Sequence, residues 1–188
     1  MPQVTPSPFF GTVASLQLLD GVVDAVAESL STLLPFELGE AVGDDRVESG
    51  RLPSGDAVRI AFRIGYRSRD VRRIGIVQMP LPAALVLAGS LVMAPAGEVR
   101  AHASRPAPDE RDKAAILEAG RLLAGAIDEA VRDRVGRPPA ATLMGCLGGA
   151  AGRAPWVPGY AGEPFAVRVQ TMRIASFDPF EMTIAIPA

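Results

Sequence analysis

Gly75–Leu91 reads GIVQMPLPAALVLAGSL and Ile116–Val131 reads ILEAGRLLAGAIDEAV. In the first stretch an apolar run meets Pro80 and Pro82 and passes into residues that favour a helix. The pattern predicts a strand over Arg72–Met79 running straight into a buried helix over Ala83–Ala94. In the second stretch Ile116, Ala119, Leu123, Ile127 and Ala130 form an apolar stripe. Glu118, Arg121, Gly125, Asp128 and Arg132 form a polar stripe beside it, at spacings of three and four. One long helix over Asp109–Val135 follows, with acids in its first turn and Gly136, Pro138 and Pro139 at its end. A strand that turns into a buried helix, followed by a long amphipathic one, places helices on a sheet.

Outward from these stretches the pattern alternates. Leu16, Leu19, Val23, Val26, Leu30 and Leu33 mark a second amphipathic helix from Thr12, which Pro35 ends. Phe36, Leu38 and Glu40 start a strand, and an acidic, turn-like stretch follows at Gly43–Gly55. Val58, Ile60, Phe62 and Ile64 alternate with Arg59, Ala61 and Arg63 as in a half-buried strand. Pro95–Pro108 reads as a polar loop, and the glycine-rich residues 145–162 as a flexible connection. No Lys-Ser/Thr follows those glycines, so they form no Walker motif. Phe165, Val167 and Val169 alternate in one closing strand, with a phase slip near Thr171 that reads as a bulge. Phe180, Met182, Ile184 and Ile186 alternate in the last. The expected fold is α+β, a mainly antiparallel sheet with two long helices packed on one face. Both long helices have similar patterns and precede strands, a hint of internal duplication that the sequence alone does not establish. Residues 1–11 are expected to be a disordered tail before a single domain over 12–188.

Composition narrows the chemistry. With 188 residues and a net charge of −2, the chain can bury a sizeable core and carries no nucleic-acid footprint. Of 19 basic residues only Lys113 is a lysine. One cysteine, Cys146, and one histidine, His102, leave no internal disulfide and no Cys/His zinc site. His102 is expected to be a solvated surface residue and Cys146 a small packed one. No metal or other cofactor is expected. The N-terminus lacks a basic region followed by an apolar core, so a cytoplasmic location is expected. Prolines break the uncharged run Ile76–Gly97 into about a dozen helical residues, rising about 18 Å against a hydrocarbon core of roughly 30 Å. No membrane insertion is expected.

Gly75, Ile76, Val77, Met79, Pro80, Ala84, Leu87, Ala88 and Leu91, with Glu118, Gly125 and Ala126, resemble the strand–helix unit and active-site helix of the CheC/CheX/FliY group of chemotaxis phosphatases. That group shares its fold with the flagellar switch protein FliM. The resemblance spans roughly residues 12–187 and is specific mainly over 75–131. It implies an α+β fold with two long helices on a sheet, a CheY-like response-regulator receiver domain as partner, and hydrolysis of its aspartyl phosphate. Any Mg²⁺ would be the partner's. The group's helix reads Glu-x-x-Asn, in which the Glu anchors on the receiver and the Asn amide orients the attacking water.

Here the same places hold Glu118 and Arg121, a degenerate site, with Gly125, Asp128 and Arg132 completing a partner-binding face. The other long helix, where some members carry a second Glu-x-x-Asn, holds Gln17 and Asp20. Arginine has donors only and cannot accept a hydrogen bond from water as an amide does. Three readings stay open: a receiver-binding module with lost phosphatase activity, an active phosphatase in which Arg121 or Asp128 takes over, or a structural, switch-like protein. Edge strands and the terminal strand Phe180–Ile186 also leave a sheet-mediated homodimer open.

Overall fold

A computed structural model describes residues 12–49, 57–68, 71–135, 140–152 and 164–188. The expected tail, residues 1–11, lies outside the described residues. The order of elements is α1 (Thr12–Leu33), β1 (Phe36–Ala41), β2 (Arg46–Ser49), β3 (Arg59–Ser68), β4 (Val71–Pro80), α2 (Leu81–Leu91), α3 (Ala96–Ala103), α4 (Glu110–Val135), β5 (Ala140–Gly149), β6 (Pro164–Ile174) and β7 (Phe180–Pro187). The fold is α+β, and every strand pairing is antiparallel.

The sheet runs β1-β6-β7-β4-β3-β5, with β2 beside β6 on the same edge as β1. The topology repeats. Helix α1 leads to β1/β2 and then the β3–β4 hairpin; α4 leads to β5 and then the β6–β7 hairpin. Each half's edge strand pairs with the other half's hairpin, β1 with β6 and β5 with β3. The halves are thus interlocked, and neither completes its sheet alone. They meet at a short seam, Ile76–Gln78 against Thr183–Ala185.

Packing follows the strand period. Ile60, Phe62 and Ile64 of β3, Met172 and Ile174 of β6, and Met182, Ile184 and Ile186 of β7 join the helices in the main core. The alternate residues Ala61, Ile76, Phe165, Val167 and Ala185 make a second, smaller cluster. Leu19, Val22, Val26 and Leu30 bury α1's stripe, and Ala119, Leu123, Ile127 and Val131 bury that of α4. Leu33, expected in the stripe, is 56% exposed; the buried residue at that end is Leu34.

Several expectations are corrected. The stretch 95–108 contains α3, whose Val99 side chain fills the notch at Gly89 of α2. The acidic stretch 43–55 contains β2, and residues 145–149 belong to β5. Residues 153–163 lie outside the described residues. The phase change near Thr171 is no bulge in β6, whose register with β7 is unbroken from Phe165 to Met172. The apolar residues simply change face there, and the irregularity sits in β1, between Leu38 and Ala41. The terminal strand β7 is interior, between β6 and β4, so it offers no free edge for a homodimer. No helix among the described residues is long and apolar enough to cross a membrane.

Candidate functional site

Helix α4 begins with a reciprocal cap. The Asp112 backbone N–H donates to Asp109 Oδ1 at 2.8 Å, and the Asp109 N–H donates to Asp112 Oδ2 at 3.1 Å. From that start the helix crosses β3 and β5 with Gly120 facing inward. A Cβ at Gly120 would lie 2.6 Å from Phe62 Cδ1, so only glycine lets the helix approach so closely. This contact sets the height of the neighbouring Glu118 and Arg121 above the sheet. Gly125 has open space around it.

The polar stripe of α4 resolves into two pairs. Arg121 Nη1 donates to Glu118 Oε1, with the two side chains 62% and 64% exposed. Such an i,i+3 pair contributes about 0.2–0.5 kcal/mol and leaves both groups free to exchange partners. Asp128 is tied down: Oδ1 accepts the Ala141 backbone N–H at 2.6 Å, and Oδ2 lies 2.8 Å from Arg132 Nε. The carboxylate fixes the start of β5, and both its oxygens are occupied. The face therefore carries an exchangeable ion pair and no side-chain amide.

The corresponding face of α1 differs. Gln17 and Asp20 are both exposed there. Asp20 Oδ1 sits 2.7 Å from Arg168 Nη2, and Arg168 is held by Asp45 in a two-point contact, Nε to Oδ1 at 2.7 Å and Nη2 to Oδ2 at 2.5 Å. The Asp45 hydrogen bonds, aided by Asp20, raise the Arg168 pKa further above its ordinary value. The side chain is 16% exposed and stays charged. Sequence reading missed Arg168 because the apolar alternation of Phe165, Val167 and Val169 assigns it to solvent. The structure covers both faces of β6, and Arg168 lies under α1.

His102 is not a loop residue. It lies on α3, its side chain 19% exposed, with Nδ1 2.6 Å from Asp112 Oδ1. With Asp109 it makes a compact His/Asp/Asp group. The reciprocal cap of α4 accounts for both carboxylates, and the histidine ties α3 to that cap. Cys146 is partly buried on β5, and burial pushes its thiol up to about 11, which leaves it protonated and unreactive near neutral pH. Asp24, Glu28, Glu129 and Asp133 line an open groove of about 510 Å³ between α1 and α4.

The sequence matches no protein-family model and no curated protein. Among solved structures the fold is similar to that of Thermotoga maritima FliY, at TM-score 0.68 and 16% identity, covering 98% of this chain and 93% of that one. It is similar to FliM in the Helicobacter pylori FliM–SpeE complex, at TM-score 0.62 and 11% identity, covering 94% and 90%. It is also similar to a Borrelia burgdorferi structure of CheX with CheY, BeF₃ and Mg²⁺, at TM-score 0.53 and 16% identity, covering 91% and 98%. The chain therefore has the fold shared by CheX, FliY and FliM.

Proposed function

We propose that the protein is a chemotaxis-type signalling module that docks a phosphorylated, CheY-like receiver domain through the 118–132 face of α4 and does not hydrolyse its phosphate. The observation that carries this reading is the Glu118–Arg121 pair, exposed and exchangeable, on a face that lacks a water-positioning amide. Glu118 is free to leave Arg121 for a cation of the receiver. Arg121 can then meet phosphoryl oxygens, supplying charge-assisted donors without accepting a hydrogen bond from water. Asp128 is a poor substitute for the amide, because both its oxygens hold the chain's own structure. The likeness to a CheX fold solved with CheY supports the choice of partner class.

The higher TM-scores against FliY and FliM favour a second reading, a structural subunit of switch type with no receiver partner. One experiment separates the readings. Phosphoaspartate decay is followed on receiver domains of the same genome with and without the protein, alongside binding to the phosphorylated and unphosphorylated receivers. Phosphorylation-dependent binding with unchanged decay is the expected result. Faster decay would establish an active phosphatase, and no binding in either state would leave the switch-type reading. Arg121→Asn is expected to keep the fold and accelerate decay. A folded, receiver-binding Arg121→Asn variant with no gain would overturn this account of the helix.

A further inference from the structure

Where β4 turns into α2, the end of the sheet carries a cleft of about 630 Å³, a volume typical of small-molecule sites. Its walls are the first turns of α2, the end of α3 and the β6–β7 connection, and none comes from the 118–132 face. Pro82, Val86, Phe177 and Phe180 make much of the wall apolar.

Two independent features make its floor electropositive. The first is Arg59, only 8% exposed, whose Nε and Nη1 are sealed from solvent without a hydrogen-bond partner. Its Nη2 is left to the cleft, where the nearest carboxylate among the described residues, that of the half-exposed Glu181, stands 4.0 Å away. A buried guanidinium without close partners is costly to hold, and an anion that reaches Nη2 offsets that cost. The second is the start of α2. It has no side-chain cap and no acid in its first turn. Pro80 and Pro82 have no N–H, and the Leu81 N–H is taken by the Val58 carbonyl at 2.8 Å. The Ala83 N–H remains, at the positive end of the helix dipole. Arg100 adds a second cation on the far wall, stacked 5.2 Å from the Phe177 ring centroid with Nη2 2.9 Å from Ser176 Oγ. The acids facing the cleft, Asp178 and Glu181, are both exposed.

We infer that this cleft binds a small organic oxyanion, its carboxylate or phosphate head on Arg59 and the α2 N-terminus and its apolar body against Phe177 and Phe180. The head alone has too little surface to fill the site, and the body alone leaves Arg59 uncompensated.

The test is calorimetric titration of the full chain with phenyl phosphate, benzoate, inorganic phosphate and, as a neutral control, phenol. Saturable binding is expected for phenyl phosphate or benzoate. Inorganic phosphate should bind at least about tenfold more weakly, and phenol not measurably. Arg59→Met should weaken binding at least about tenfold without lowering the Tm, because it removes a buried charge whose only ion pair among the described residues is the long contact to half-exposed Glu181. Glu181→Gln should tighten binding severalfold by removing the competing carboxylate. Where the Met variant does not fold, Arg59→Lys serves instead, with weaker binding expected as the planar fork is lost. The inference is overturned by any of four results: no saturable binding of either organic anion up to about 10 mM; equal binding of inorganic phosphate; binding that survives loss of Arg59; or a Glu181→Gln variant that loses stability with affinity unchanged. The last would make Arg59 a structural partner of Glu181.

Discussion

The polar faces of α1 and α4 occupy equivalent places in the two interlocked halves of the sheet, yet one is tied to the sheet and the other is not. On α1, Asp20 joins Arg168 and Asp45 in a cluster centred on a largely buried guanidinium. On α4, Glu118 and Arg121 pair only with each other among the described residues, above a glycine that lets an apolar ring lie beneath the helix. The contrast turns on what the strand offers from below. Where β6 presents an arginine, Asp20 reaches it while its own side chain stays 63% exposed; where β3 presents Phe62, Glu118 and Arg121 pair with each other in water.

The largest test of that contrast is Arg168→Leu. It strands Asp45 and releases Asp20, and is expected to cost about 2–3 kcal/mol in urea unfolding, somewhat less than breaking a fully buried pair. A loss below about 1 kcal/mol would mean α1 is held by its apolar stripe alone. Next is the Phe62 contact under α4. Gly120→Val should cost about 2 kcal/mol or more, because the ring is flat, buried and has no room to retreat. Gly125→Ala, in open space on the same helix, should instead stabilise by up to about 1 kcal/mol. If both substitutions shift stability the same way, Gly120 does not set the height of the face. Asp128→Ala removes the carboxylate that accepts the Ala141 N–H and should cost about 1–2 kcal/mol, with hydrogen exchange at Ala141 accelerated.

The smallest effect is pH-dependent and belongs to the cap of α4. Asp109's carboxyl is held below the ordinary aspartate range, chiefly because the Asp112 backbone N–H bonds it, with help from Arg105. A depressed folded-state pKa stabilises fully above the unfolded value near 4, and the contribution is lost as pH falls through the lowered value. The urea midpoint should therefore drop more steeply below about pH 4 in the wild type than in Asp109→Asn. Equal slopes would remove the cap from the account of how α4 starts.

Much of the fold was legible in the residues because it rests on periodicity. The stripes of α1 and α4, the alternation of β3 and β7, and the proline corner into α2 each follow from local spacing. Helix α3 was not legible: AGEVRAHA has one buried residue, Val99, and its helix is secured by docking into the notch at Gly89. Strand β5 was hidden by its glycines, which read as a connection until β3 supplied the pairing partner. At the candidate site, Glu118, Arg121 and their shared face were readable from the i,i+3 spacing. The tying of Asp128 to β5 and of Asp20 to Arg168 was not, since those partners are 13 and 148 residues away in sequence.

By itself the sequence determined the two long helices, that each buries one stripe, the alternating strands, and that Arg121 stands one turn after Glu118 on a face with no side-chain amide. Those features depend on the geometry of a helix turn and on the donors a side chain carries, both local properties. The tertiary structure alone decided how the halves interlock, which helix acid pairs with a strand arginine and which guanidinium is buried with only a distant carboxylate. Those outcomes depend on what lies beneath a residue once both faces of the sheet are covered, and a guanidinium's environment there is set by strands far from it along the chain.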